Sequence, residues 1–263
     1  MIGGVVDMPE TAAYVYCIVR GARPSFRRVP AGLPGATRPD AVQLQRSTWM
    51  IAADVPLHTY GPEALEPALR DLHWVADIAV AHDAVVEHFA RQRNMTVVPM
   101  KLFTMFSSSE RAVAELNAKL GDIEEVLRRI AGCEEWGVRV VAAAAGTARL
   151  AQTAATSGAA FLAAKKEARA AARDRSRRAA AAAEDVFLEL DALTRAAWRR
   201  QTVPDGVTAP PLLDAAFLVP LKQRTRFRAA ARRLAAHCAT AGAELTLTGP
   251  WPAYSFVRPA GTS

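Results

Sequence analysis

His82-Asp83 and Glu87-His88 bring two histidines and two carboxylates into one short stretch, the residue types of a metal site or an acid–base pair. The histidines are six residues apart, so a helix sets them on different faces, and neither can join the other at one ion. Asp83 and Glu87 share a face at i, i+4 and could act as acid and base. No nucleophile or further polar group stands close to them, and a solvated helix face is the simpler account. An enzyme would have to assemble its site from distant residues such as His58, His82 and Glu87. Ser107-Ser108-Ser109-Glu110 has the pattern of a helix-capping box rather than of a triad member, with Ser107 as the capping hydroxyl. Gly3-Gly4 precedes any strand and the later glycines stand alone, so no phosphate-binding loop is present. Cys17, Cys133 and Cys238 are odd in number, widely spaced and without a CxxC pair, which reads as reduced thiols and no metal cluster. No catalytic, cofactor-binding or metal-ligating residue is assigned.

The surfaces that could hold a partner are more distinctive. Lys165 to Arg178 carries seven basic residues against two acidic ones and almost nothing large and apolar, so this part of a helix should project into solvent, with Arg173, Arg177 and Arg178 available. Arg224, Arg228 and Arg232 recur at i, i+4, i+8 on the expected outer face of a later helix. Thirty-three basic residues against 26 acidic ones give +7 and a pI near 9.8, which favours acidic partners and permits nucleic acid. Aromatic content of 7% counts against a single-strand binder that stacks bases. The chain closes on Gly249-Pro250-Trp251-Pro252-Ala253-Tyr254-Ser255-Phe256. Its prolines hold Trp251, Tyr254 and Phe256 on a stiff ribbon, with Trp251-Pro252 a candidate cis bond. Such a ribbon staples the last strand to its own sheet, or presents aromatic anchors for docking.

The elements around these segments follow from periodicity. Tyr14 to Val19 is apolar at both alternating phases and predicts a strand buried on both faces. Extended segments follow at Ala41–Arg46 and Thr48–Val55. Leu65, Leu69 and Leu72 after Pro62, then His82, Val86 and Phe89, predict two successive helices. Thr96 to Phe103 reads as a strand that Pro99 confines to an edge, a start or a bulge. Val113, Leu116, Leu120, Ile123, Leu127 and Ile130 predict one helix, closed by Gly132. Trp136, Val138 and Val140 open the second half as a strand. An uncharged Ala/Thr/Ser/Gly stretch leads to a proline-free run from Gly158 to Arg200, read as long helix with Val186, Leu190, Leu193 and Ala197 as its later stripe. Thr202–Pro211 is a connection, Ala215–Leu221 a strand, Phe227, Ala231, Leu234 and Cys238 a helix stripe, and Ala243–Thr248 a final strand.

At 263 residues the chain has the length of two ordinary domains, and 51% apolar with 22% charged residues excludes a disordered or collagen-like chain. The expected boundary falls near Gly132, giving domains 1–132 and 133–263. The N-terminus lacks the pattern of a secretory leader, and the longest uncharged run, Leu150 to Ala164, is too short to span a bilayer, so a cytoplasmic location with no membrane partner is expected.

Leu247-Thr248-Gly249-Pro250-Trp251-Pro252-Ala253-Tyr254-Ser255-Phe256-Val257 resembles the closing signature of the gas vesicle protein GvpL/GvpF family. Tyr14 to Val19, Ala81-His82-Asp83-Ala84-Val85-Val86, Val97 to Phe106 running into Ser109-Glu110, and Glu134-Glu135-Trp136-Gly137-Val138 resemble the same family in the same order. The chain departs from that pattern at Asp83, where a glutamate is usual, at Lys101-Leu102-Phe103-Thr104, where an Arg-Phe-Gly-Thr-like sequence is usual, and at Ala253, a frequent proline. The resemblance implies an α+β fold: an N-terminal α+β domain and a C-terminal modified ferredoxin-like domain with a long helical insertion. It also implies a part in building gas vesicles, hollow shells walled by a small hydrophobic subunit, and brings no activity, cofactor, metal or small-molecule substrate.

The expected function is that of a non-enzymatic assembly factor or minor shell component, at the gas vesicle or in the cytoplasm. Its partners would be the shell subunit and other accessory proteins, with no nucleic acid. Pro250, Trp251, Pro252, Tyr254, Phe256, Arg173, Arg177 and Arg178 are the candidate partner-binding residues. A basic α+β nucleic-acid-binding module is the alternative, and steep salt dependence of binding would mark it.

Overall fold

The computed structural model describes residues 10–143, 158–201 and 210–257. Residues 1–9 with Gly3-Gly4, most of the uncharged stretch before the long helix, most of the Thr202–Pro211 connection and residues 258–263 lie outside them. The chain divides into two compact units: residues 1–132 together with 251–263, and residues 133–250. The final aromatic segment, expected to close the second domain, is thus grouped with the first unit.

In the first unit, β1 (Thr11–Arg20) is flanked by the hairpin strands β2 (Asp40–Gln45) and β3 (Thr48–Pro56) on one side and by β4 (Thr96–Pro99) on the other, in the order β2-β3-β1-β4, all pairs antiparallel. Pro99 ends β4, an edge strand, where a missing amide breaks no inner ladder. A bulge between Val15 and Cys17 shifts the alternation of β1, so that Tyr14, Tyr16, Cys17 and Val19 all enter one core cluster. That cluster is completed by Ile78, Val85, Val86 and Phe89 of α3 (Leu72–Ala90), which Asp71 caps through the amides of His73 and Trp74. Two short helices, α1 (Leu57–Tyr60) and α2 (Pro62–Ala68), precede it. The chain turns between α2 and α3, so Leu69 and Leu72 do not continue the predicted stripe and are 45% and 79% exposed.

Beyond β4, the two-residue strand β5 (Met105–Phe106) pairs with β1 and leads into α4 (Ser109–Ala118) and α5 (Leu120–Ile130). Ser108, not Ser107, is the cap: its hydroxyl accepts from the Arg111 amide at 3.2 Å. The predicted single helix is broken at Lys119, whose backbone leaves helical geometry (φ −104°, ψ 15°), and Gly132 takes the left-handed conformation (φ 65°) after the last turn.

The second unit runs β6 (Cys133–Ala142), α6 (Gly158–Asp191), β7 (Ala196–Arg199), β8 (Leu213–Pro220), α7 (Arg224–Ala241) and β9 (Ala243–Trp251), with sheet order β7-β8-β6-β9. A βαββαβ succession in this split order is the ferredoxin-like arrangement. Its core joins Trp136, Val138 and Val140 of β6 and Phe217 of β8 to the predicted α7 stripe, Phe227, Ala231, Leu234 and Cys238. The 34-residue α6 touches that core only from Ala179 onward, through Ala182, Ala183, Val186 and Leu190. Residues 161–178 are exposed throughout, as their basic composition predicts. The helix stops at Asp191, whose carbonyl accepts from the Thr194 hydroxyl and amide, and Ala197, expected on its stripe, lies in β7 paired with Phe217. Sheet pairing wins over helix propensity there because four residues at a sheet edge pair with β8 and pack half-buried Ala197 against an existing core.

Candidate functional site

The closing ribbon is where the predicted binding residues concentrate, and the structure gives them different roles. Pro250 ends the second unit, in a cis peptide bond with Gly249 rather than at the Trp251–Pro252 bond. Trp251 is 42% exposed. Pro252 and Phe256 are buried, and Tyr254 is half-buried against the core cluster of the first unit. The Tyr254 hydroxyl donates to Asp83 Oδ1 at 2.9 Å, and the Phe256 carbonyl accepts from Arg129 Nη2 at 3.0 Å. Burial, and next the neighbouring Asp83 charge, push the Tyr254 phenol well above its ordinary range, so it stays a donor. Of this ribbon's aromatics, Trp251 alone is presented as a largely free side chain. Arg173, Arg177 and Arg178 are exposed on α6, Arg177 pairing with Asp174 at 2.6 Å.

Tyr254 also borders an open cleft of about 540 Å³ in the first unit, lined by Ala79, Val80, His82, Asp83, Met100 and Leu102 among others. His82 and Asp83, adjacent in sequence, are both committed to tyrosines. Tyr14 hydroxyl lies 2.7 Å from His82 Nδ1 and accepts from the Phe103 amide at 3.4 Å, so its own proton points to Nδ1 and the imidazole carries hydrogen on Nε2. Burial lowers His82 to about 4, against smaller raising effects of Asp83 and the Met100 backbone. The ring is therefore neutral at physiological pH. Tyr16 packs against it at 5.6 Å, and its hydroxyl accepts from the Leu33 amide. Glu87, paired with Arg91, and His58 do not line this cleft. No group of three or more His, Cys, Asp or Glu able to hold a metal occurs among the described residues.

In the second unit the motif Glu134-Glu135-Trp136-Gly137 acquires a physical meaning. Successive residues of β6 point to opposite faces, and each buried glutamate meets an arginine: Glu134 takes Arg224 in a two-pronged pair and Glu135 takes Arg200 at 3.0 Å. Glu134 also accepts from Trp136 Nε1 at 2.8 Å, fixing the indole over Phe227. Gly137 lies so close to β9 that a Cβ would sit 2.6 Å from Thr248 Oγ1. Replacing Glu134 by Gln is expected to cost about 2 kcal/mol, since it removes a charge-assisted pair at a buried acid whose partner is half in solvent. Urea unfolding of the variant against Arg224→Gln checks it, and the double variant should cost less than the sum of the two.

Arg224, Arg228 and Arg232, expected on the outer face of α7, are all exposed and line a second pocket of about 420 Å³ together with Trp136, Leu247, Gly249 and Pro250. The i, i+4, i+8 spacing was the legible signal; the pocket was not. No helix among the described residues is long and apolar enough to cross a membrane.

A family model described as gas vesicle synthesis protein GvpL/GvpF matches residues 12–258. Gas vesicle protein L of Streptomyces sp. (strain CB03234) is 28% identical over 252 residues, covering 92% of this chain and 91% of that one. Gas vesicle protein F2 of Halobacterium salinarum is likewise 28% identical, over 253 residues, covering 95% and 94%. The crystal structures of the gas vesicle protein GvpF from Anabaena sp. PCC7120 and from Microcystis aeruginosa superpose with TM-scores of 0.65 and 0.60 at 15% and 12% identity. They cover 95% and 94% of this chain and 99% of each of theirs.

Proposed function

Because the chain belongs to the gas vesicle synthesis protein GvpL/GvpF family, we propose that it is a non-catalytic accessory protein of gas vesicle formation that binds the small hydrophobic shell subunit and other accessory proteins. The observation that carries this is the family match along residues 12–258, in a chain of the two-sheet fold seen in two GvpF crystal structures. A gas-facing shell subunit is strongly apolar and would aggregate before assembly, so a protein that covers or orders it meets a physical need. The exposed Trp251 and the basic projection of α6 are the surfaces that support such a role here. Half-buried Tyr254 and buried Phe256 hold the ribbon on the first unit. Both carboxylate-adjacent residues of the first unit's cleft are engaged in hydrogen bonds, which favours a binding role over acid–base chemistry.

Co-purification with the small hydrophobic shell subunit tests it. Trp251→Ala is expected to lower recovery about tenfold, the effect of losing one aromatic anchor. Reversing Arg173, Arg177 and Arg178 to glutamate examines the helix separately, and unchanged recovery in both variants would remove these surfaces from the proposal.

A further inference from the structure

The arginine pocket of the second unit has no place in the role just described. Its three guanidinium groups stand on one face of α7 at i, i+4, i+8, about 6 Å of helix rise between successive ones. They are not equivalent. Arg224 is occupied by Glu134 in a two-pronged pair. Arg228 and Arg232 are exposed, line the pocket and have no carboxylate partner among the described residues, although arginines around them are paired, Arg233 with Glu189 and Arg200 with Glu135. Arg228 stands 6.0 Å from the centre of the Trp136 ring. Two guanidinium groups without a carboxylate partner, lining one pocket with Trp136, Leu247 and Pro250, call for a ligand that carries negative charge and apolar surface together.

We infer that this pocket binds an acidic peptide segment of a partner protein, whose carboxylates pair with Arg228 and Arg232 while an intervening apolar side chain enters over Leu247 and Pro250. Charge complementarity selects the occupant. Carboxylates at i and i+2 of an extended segment are roughly 7 Å apart, close to the ~6 Å of helix rise between positions 228 and 232. The pocket already displays the recognition mode in cis, where Glu134 grips Arg224. A single-stranded nucleic acid is the poorer fit, because base stacking needs a free aromatic face and Trp136 is only 5% exposed. The chain's own undescribed segments contain two acidic residues, Asp7 and Asp205, and no acidic run that would supply such a segment.

The test is fluorescence anisotropy of a short fluorescein-labelled peptide of alternating Glu and Leu, titrated with the full chain at low salt. The wild-type chain is expected to bind, Arg228→Gln with Arg232→Gln to weaken binding at least tenfold, and the charge-matched Arg46→Gln with Arg93→Gln in the first unit to leave it within about twofold. All four arginines are exposed, and unchanged thermal melts establish that folding is intact. No binding by the wild-type chain, equal weakening in the first-unit variant, or displacement of the peptide by oligothymidylate more readily than by unlabelled peptide would each overturn the inference. The outcome is independent of shell-subunit co-purification, so either proposal can fail while the other stands.

Discussion

Tyr254→Ala is expected to destabilise the first unit by about 3 kcal/mol, and Tyr254→Phe by about 2 kcal/mol. The hydroxyl donates to an ionised acceptor, Asp83 Oδ1, from a position packed on the core cluster. Phenylalanine keeps the packing and removes only the charge-assisted bond; alanine removes both. Asp83 is half-buried on α3 and would be left with one fewer donor, which is why the loss exceeds that of an ordinary hydrogen bond. Urea unfolding gives the energies, and hydrogen exchange resolved along the chain locates them: protection should fall on β1 and α3. A phenylalanine variant as stable as the wild type would show that the Tyr254–Asp83 bond does not hold the ribbon in place.

A second large effect is acid sensitivity set by His82. The folded imidazole titrates near 4, against 6.5 when exposed, because burial between Tyr14 and Tyr16 disfavours its charge and Asp83 only partly offsets this. The direction follows from proton counting. Above pH 6.5 neither state binds the proton and the stability is full. Between 6.5 and about 4 the unfolded chain takes it up while the folded one does not, so stability falls by about 1.4 kcal/mol per pH unit. Below 4 both are protonated and the loss levels off near 3 kcal/mol. His82→Gln removes this contribution while leaving the surrounding carboxylates in place. Comparing urea midpoints at pH 7.5 and 4.5, the wild type is expected to lose about 3 kcal/mol more than the variant. Equal losses would mean that the buried ring is not what limits stability in acid.

Much of the architecture was legible because it is written in local periodicity. The doubly apolar run at Tyr14–Val19, the stripe of α7 and the alternation of Trp136, Val138 and Val140 each specify an element and the side it buries. The failures have a common cause. Residues 196–199 have no strand pattern of their own and become β7 only because β8 offers a free edge. The helix after Ser108 breaks at Lys119 although its apolar spacing is continuous. Leu69 and Leu72 have helical spacing, yet the turn at Asp71 takes them out of register with any core.

The candidate sites were readable in residue type and not in partnership. His82, Asp83 and Tyr254 stand out in the sequence as a possible reactive pair and a possible docking aromatic, but a sequence separation of 171 between Asp83 and Tyr254 conceals that they bond to each other. Glu134 to Arg224 spans 90 residues and is equally silent. By itself the sequence determined the helix faces, the core strands, the basic projection of α6 and the family, since these depend on neighbours a few residues away. Tertiary structure alone decided which unit the closing ribbon joins, that His82 is neutral and engaged, and that Arg228 and Arg232 line one pocket. Burial and pairing depend on groups brought together by chain closure, and nothing in local spacing encodes which distant group arrives.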